Sequence, residues 1–351
     1  MTLPRTTLAP GYEISRVIRG GWQLAGGHGP IEQAEALDDL IATADAGITT
    51  FDCADIYTGV EEIIGGFRAE YAKRHGADAL SRIRVHTKCV PDLDKLAHLT
   101  RPMLRETITR SAARLGVERL DLVQFHWWDY AMGDWLQAAH WLKEFQDEGL
   151  INLLSATNFD TDHVADMFDS GIRLATLQTQ YSLLDRRPEK RMAALAEKQG
   201  MQFLCYGTVA GGFLSDKWLD QPRPQGQMEN RSLTKYLLII QDLGGWDLFQ
   251  TLLRTLRGIA DRQDCDIATV ASATVLTRPQ VAGVIVGARN RDHLDANLRI
   301  GQVVLAGDDL SEIEAVLSQA SQLDGDVYEL ERDRHGRHGS IMKYNLNKEE
   351  A

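Results

Sequence analysis

The chain has 351 residues, and 38 Lys and Arg against 50 Asp and Glu give a formal net charge of −12. A balance that acidic supplies no drive for broad binding to a phosphate backbone, which argues against a nucleic-acid protein. Hydrophobic residues at 44% and charged residues at 25% are ordinary for a globular chain, long enough for two modest domains or one large α/β barrel.

Short runs rich in β-branched and aromatic residues alternate with longer segments whose apolar residues recur at i, i+3 and i+4. In chain order, strands are expected at 16–22, 49–55, 84–90, 120–127, 151–158, 174–181, 202–207 and 281–287. Helices are expected between and after them at 32–46, 61–75, 101–115, 134–148, 160–169, 189–199, 247–263 and 291–300. Eight strand-then-helix units without a Pro/Ser-rich linker predict a single (β/α)8 TIM barrel domain over 1–351. Ahead of the first barrel strand, residues 6–15 hold a Pro10-Gly11 turn and read as a β-hairpin on the barrel floor. Residues 211–246 read as a long connection with Pro222, Pro224 and Gly226, and 266–277 as an extra helix. Long loops at the C-terminal face of a barrel are where function concentrates. The polar tail 324–351 is expected as a loop or loose end, and the motif resemblance given below implies that it covers the barrel top.

Four cysteines, Cys53, Cys89, Cys205 and Cys265, lie far apart with no CxxC pair, a pattern of neither a disulfide framework nor a cysteine zinc site. No run of about eighteen apolar residues occurs, and Arg5, Glu13, Arg16 and Arg19 punctuate the N-terminus. The expected setting is therefore the cytoplasm, with no membrane partner.

Barrel chemistry sits at the C-terminal ends of the strands, so polar residues there are the first catalytic candidates. Asp52 lies in the second strand, Tyr57 in the loop after it, Lys88 in the third strand and His126 in the fourth. A free phenol gives up its proton poorly at neutral pH, and a nearby ammonium lowers its pKa. Lys88 is placed to supply that charge, and Asp52 to keep Lys88 charged and aimed. His126 beside Tyr57 is expected to donate a hydrogen bond to a substrate carbonyl or to relay a proton. The set describes a carbonyl reductase. No HxH or HExxH spacing occurs, so no metal is expected. A second chemistry, a Schiff-base amine at Lys88, requires a neutral lysine, which Asp52 disfavours.

The strings Thr50-Phe-Asp-Cys-Ala-Asp-Ile-Tyr57, Glu61-Glu-Ile-Ile-Gly-Gly66, Val85-His-Thr-Lys-Cys89 and Leu120-Asp-Leu-Val-Gln-Phe-His126 resemble the aldo-keto reductase superfamily. The resemblance runs from about Ile18 to Asn297. It implies an NADPH- or NADH-dependent oxidoreductase interconverting an aldehyde or ketone and an alcohol, with Asp52, Tyr57, Lys88 and His126 as the catalytic tetrad and Tyr57 as general acid. Asp55 is nearer the tyrosine in sequence, but the family pattern places the acid at Asp52.

The resemblance also implies a cofactor site. Thr157 and Asn158 match the fifth-strand pair that holds the nicotinamide carboxamide, joined by Gln178, and Tyr206 matches the aromatic that stacks on the ring. Gly207 follows, and Gly211, Gly212, Leu214 and Lys217 match the glycine-rich phosphate loop. Gly287, Ala288, Arg289, His293 and Asn297 match the adenosine end, where the charge of Arg289 favours NADPH over NADH. Trp22, Trp127 and Trp128 are expected to line an aromatic substrate mouth beside Tyr57 and His126, although consecutive strand residues cannot both face one interior. A second class of function, a cofactor-binding regulatory barrel, follows from a resemblance to potassium-channel β subunits.

Overall fold

The computed structural model describes residues 3–25, 32–226, 228–288, 290–321, 323 and 325–346. Two strands open the chain, β1 (Arg5–Ala9) and β2 (Tyr12–Ser15), paired antiparallel with Arg5 opposite Ser15 and Ala9 opposite Tyr12. Gly11 turns the hairpin at φ 75°, a left-handed conformation open to glycine without a Cβ penalty. Tyr12 and Ile14 pack against Ile18, Leu204 and Ala282, so the hairpin lies across the N-terminal end of the barrel, as expected.

Eight parallel strands close the barrel: β3 (Val17–Gly20), β4 (Thr50–Asp52), β5 (Arg84–Cys89), β6 (Leu120–Phe125), β7 (Ile151–Thr157), β8 (Thr176–Gln180), β9 (Gln202–Tyr206) and β10 (Val281–Gly287). They pair in sequence order, and β10 returns to β3. Helices α1 (Gln33–Asp45), α2 (Val60–Leu80), α3 (Arg101–Leu115), α4 (Trp135–Asp147), α5 (Thr161–Asp169) and α6 (Arg191–Gln199) make the crossovers up to β9. Local chemistry sets several of their ends. Asp134 and Asp160 accept the backbone N–H three residues on, capping α4 and α5, and Gly116 closes α3 at φ 66°. Phe51, Phe67, Phe125, Phe145 and Phe159 are fully buried between strands and helices. Each contributes about 1.5–3 kcal/mol of transfer free energy.

The stretch between β9 and β10 is more structured than its prolines and glycine suggest. It carries α7 (Arg231–Leu243), capped by Asn230, then α8 (Trp246–Arg262) and α9 (Ile267–Leu276). After β10 come α10 (Leu294–Ile300), α11 (Gly307–Leu317) and the short α12 (Glu329–Arg332). Leu253, Leu256, Ile259, Val270 and Ile313 join α8, α9 and α11 in a second apolar cluster that also holds Phe213 and Leu214 from the β9 loop. The core there anchors the β9 loop from outside the barrel. Among the described residues no helix is long and apolar enough to cross a membrane.

Candidate active site

The barrel register brings a layer of polar side chains to one level. Gly20 pairs with Asp52, Lys88 with Gln124, and Thr157 with Gln178. Lys88 Nζ donates to Asp52 Oδ2 at 2.6 Å and to the Cys53 carbonyl at 2.9 Å. The other carboxylate oxygen of Asp52 accepts from Gln124 Nε2 at 2.8 Å and Gln178 Nε2 at 2.6 Å. Both charged side chains are nearly inaccessible, 7% for Lys88 and 5% for Asp52. Burial alone disfavours an ammonium, but the Asp52 carboxylate overrides it and pushes Lys88 above its ordinary pKa, so Lys88 stays an ammonium. Asp55 does not compete for Lys88. Its buried carboxyl accepts the Val90 N–H and is pushed up to about 8, chiefly by burial.

Lys88 Nζ stands 5.0 Å from the centre of the half-buried Tyr57 ring. The expected drop in the phenol pKa does not follow. Burial raises it, and the charge and hydrogen bond of Lys88 pull back only part of that rise. Tyr57 is therefore a neutral phenol that holds its proton, with a cation poised to ease its departure.

His126 differs from expectation in its hydrogen-bonding sense. Its Nδ1 lies 3.0 Å from the Thr157 carbonyl oxygen, an acceptor only, so Nδ1 carries the proton. Nε2 is buried without a partner among the described residues. Burial, then the Arg332 charge, bring the ring pKa down to about 3, with the Thr157 bond opposing and the Lys88 charge adding a smaller pull. A neutral ring with a lone pair at Nε2 accepts a hydrogen bond. It cannot donate one to a substrate carbonyl.

The two tryptophans after His126, both beyond the end of β6, have different surroundings. Trp127 is fully buried, with Nε1 donating to the Asp129 and Met132 carbonyls and its ring against Phe125. The expectation that it lines the mouth is corrected on that ground. Trp128 meets the His126 ring edge-on at 4.3 Å, and its Nε1 is unpartnered among the described residues. Trp22, 36% exposed, sits edge-on to Tyr57 at 5.0 Å.

Sequence reasoning gave no individual role to Gln124, Lys235, or to Tyr328, Glu331 and Arg332 of the tail it expected over the barrel top. Gln124 carried a signal: it is polar in an apolar strand and two residues before His126, hence on the same face. The others come from α7 and the C-terminal segment, where no local pattern announces their position. Tyr328 stands edge-on to His126 at 5.9 Å. Glu331 is buried between Arg187 at 3.1 Å and Lys235 at 3.3 Å, which tethers the segment over the barrel mouth.

Of the residues matched to a cofactor, those at the ends of β7, β8 and β9 converge. Asn158, in a left-handed conformation at φ 60°, accepts from the Tyr206 hydroxyl at 2.9 Å through Oδ1 and donates its N–H to the Gln178 carbonyl. Gln178 gives one side-chain N–H to Asp52, which leaves the rest of its amide for a carboxamide. Gly207 and Gly211 lie against Tyr236 of α7, and a Cβ on either would collide with that ring or its hydroxyl. Gly212, at φ 101°, has nothing within 4 Å of a Cβ position, so its backbone is open to close approach. Leu214 is buried and its N–H goes to the Val209 carbonyl, while Lys217 and His293 are exposed. Gly287 ends β10, Ala288 is buried beside it, and Asn297 is buried on α10. Arg289 lies outside the described residues. The unpartnered His126 Nε2, the converging strand-end amides and the open Gly212 backbone fit a nicotinamide dinucleotide.

A closed (β/α)8 barrel with ionised and polar groups gathered at its C-terminal strand ends is the class that fold and site define. The aldo/keto reductase family model matches residues 16–318, and the chain belongs to that family. It is 26% identical over 321 residues to aldo-keto reductase YhdN of Bacillus subtilis (strain 168), covering 88% of this chain and 91% of that protein. It is 24% identical over 307 residues to the NADH-specific methylglyoxal reductase of Escherichia coli (strain K12), covering 81% of this chain and 89% of that protein. The solved structure of a glycerol dehydrogenase from Gluconobacter oxydans shares the fold, with a TM-score of 0.73, 23% identity and coverage of 90% of this chain and 94% of that one.

Proposed function

We propose that this chain is an NAD(P)H-dependent reductase of aldehyde or ketone carbonyls, reversible toward alcohol oxidation, acting in the cytoplasm as one barrel domain. The observation that carries the reading is the buried ion pair of Lys88 and Asp52 beneath Tyr57, on the same face as the unpartnered His126 Nε2. A bound nicotinamide would supply the hydride. Tyr57 supplies the proton to the carbonyl oxygen, and Lys88 stabilises the phenolate that this leaves behind. Asp52, steadied by Gln124 and Gln178, holds Lys88 charged. His126 accepts a hydrogen bond at Nε2 from the alcohol and so orients its oxygen.

Asn158, Thr157 and Tyr206 are proposed at the nicotinamide end, Gly207, Gly211, Gly212, Leu214 and Lys217 along the phosphates, and Gly287, Ala288, Arg289, His293 and Asn297 at the adenosine. NADPH is the proposed preference, resting on Arg289 in the sequence, and the NADH-specific relative makes the alternative a direct test. Trp22, Trp128 and Tyr328 give the mouth aromatic walls, which suit apolar or aromatic carbonyl compounds.

The test is a tryptophan-fluorescence titration with NADPH and, separately, NADH, followed by cofactor consumption across aromatic aldehydes, ketones, quinones and sugars. Binding with turnover supports the reductase. Binding without turnover on any carbonyl supports a regulatory barrel, and absence of binding excludes both.

A further inference from the structure

We infer that Arg332 is a positioning residue of this site: one guanidinium from the C-terminal segment clamps the two backbone stretches that fix His126. The inference rests on the reductase reading above. Arg332 Nη1 donates to the carbonyl oxygens of Trp127 at 2.5 Å and Trp128 at 2.9 Å, and Nη2 donates to that of Asn158 at 2.8 Å. Trp127 directly follows His126, and Asn158 directly follows Thr157, whose carbonyl binds the imidazole. A single planar group thus spans the ends of β6 and β7 on both sides of the His126–Thr157 contact. It also holds the left-handed peptide of Asn158, whose side chain meets Tyr206.

The guanidinium is itself fixed. Its carbon lies 4.0 Å from the centre of the Tyr130 ring, and the Tyr130 hydroxyl accepts the Asp160 N–H. Next to it, Glu331 is locked between Arg187 and Lys235. Among the described residues no carboxylate lies within ion-pair distance of Arg332, so its charge is met by carbonyl dipoles and Tyr130 rather than cancelled. The charged groups that face the His126 ring are Arg332 from the C-terminal segment and Lys88 from β5, both cations, with Tyr328 and Trp128 at the ring edge. Arg332 therefore acts in two ways. Its forked donors set where the imidazole points, and its charge keeps the imidazole a neutral acceptor.

The two actions separate by substitution. Arg332→Lys keeps the charge but loses the fork that reaches three carbonyls, whereas Arg332→Ala loses both. With the carbonyl substrate found above, both variants are expected to lower kcat at least ~tenfold while the fluorescence-measured affinity for cofactor stays near wild type. In the pH profile of kcat, Arg332→Ala is expected to move the acid limb to higher pH, because the imidazole takes a proton more readily without the cation. Arg332→Lys leaves that limb in place. Nitrogen-15 NMR of histidine-labelled protein, with His126→Asn assigning the signal, reads the ring without any substrate. Wild type is expected to show the Nδ1–H form, and Arg332→Ala a mixed or titrating ring. Should Arg332→Ala fail to fold, Arg332→Gln, which is uncharged and keeps two N–H donors, carries the same NMR readout. A folded uncharged variant with unchanged nitrogen shifts and an unchanged pH profile overturns the inference. Shifts that move as expected in a protein without carbonyl turnover would support the clamp and remove the reductase reading instead.

Discussion

The imidazole Nδ1 of His126 and the carbonyl oxygen of Thr157 lie 3.0 Å apart across the ends of β6 and β7. Because a carbonyl only accepts, this contact assigns the proton to Nδ1 and leaves Nε2 with a lone pair. Delivery of a proton to a substrate oxygen then falls to Tyr57, whose phenol burial keeps protonated at neutral pH. The site has one residue arranged to give a proton and one arranged to accept a hydrogen bond.

Buried neutral histidines carry a consequence for acid stability. His86, on β5 and stacked on Tyr12 at the barrel floor, is pulled from an ordinary 6.5 down to about 4, first by burial. Between those values the unfolded chain binds a proton that the native state excludes, so this contribution is present above about 6.5 and is lost as pH falls through about 4. His86→Leu is expected to lose less melting temperature than wild type between neutral and mildly acidic buffer, read by circular dichroism. An acid-induced drop as large as that of wild type would contradict the assignment.

The charge network of the site is asymmetric. Asp52 serves Lys88, Gln124 and Gln178 together, whereas among the described residues Lys88 has Asp52 as its single carboxylate partner. Asp52→Ala leaves a buried ammonium and two amides unpaired and is expected to cost roughly 3–5 kcal/mol of stability. Lys88→Met leaves the carboxylate with two amide donors and is expected to cost less. Urea denaturation of both variants measures the order, and equal losses would mean that the amides contribute little.

Gly207, at φ 73°, would place a Cβ 2.1 Å from the Tyr236 hydroxyl oxygen. Gly207→Ala is expected to destabilise by more than the ~1 kcal/mol typical of backbone strain alone. Removing that oxygen in Tyr236→Phe is expected to recover part of the loss, so a double-mutant cycle should show coupling. Strict additivity would place the cost in the backbone and not in the contact.

The barrel was legible because its signals are local. Residues 281–287 and 101–115 coincide with β10 and α3, where a continuous apolar run and a Thr-Arg-Pro start with a Gly116 stop define the ends. Strands such as 120–127 overshoot because His126 and Trp127 continue the apolar pattern after the ladder ends at Phe125. Helix α7 hid behind Pro222, Pro224 and Gly226, although Tyr236, Ile239, Ile240 and Leu243 fall at helical spacing and are buried. The strand-end groups Asp52, Lys88 and His126 were found by their place in the barrel. Arg332 was not: the tail was expected over the barrel top, but the carbonyl partners of this one guanidinium stand 174 to 205 positions away. The tautomer of His126 was equally invisible, since it depends on one backbone oxygen of a neighbouring strand.

The central claim, that Tyr57 gives the proton to a carbonyl reduced by nicotinamide hydride, is tested most directly by Tyr57→Phe. Steady-state reduction of the best carbonyl found for wild type is compared with cofactor affinity measured by fluorescence on the same preparations. The account predicts a fall in kcat of about 10²–10⁴-fold, with cofactor affinity close to wild type. Turnover near the wild-type rate in Tyr57→Phe would contradict it.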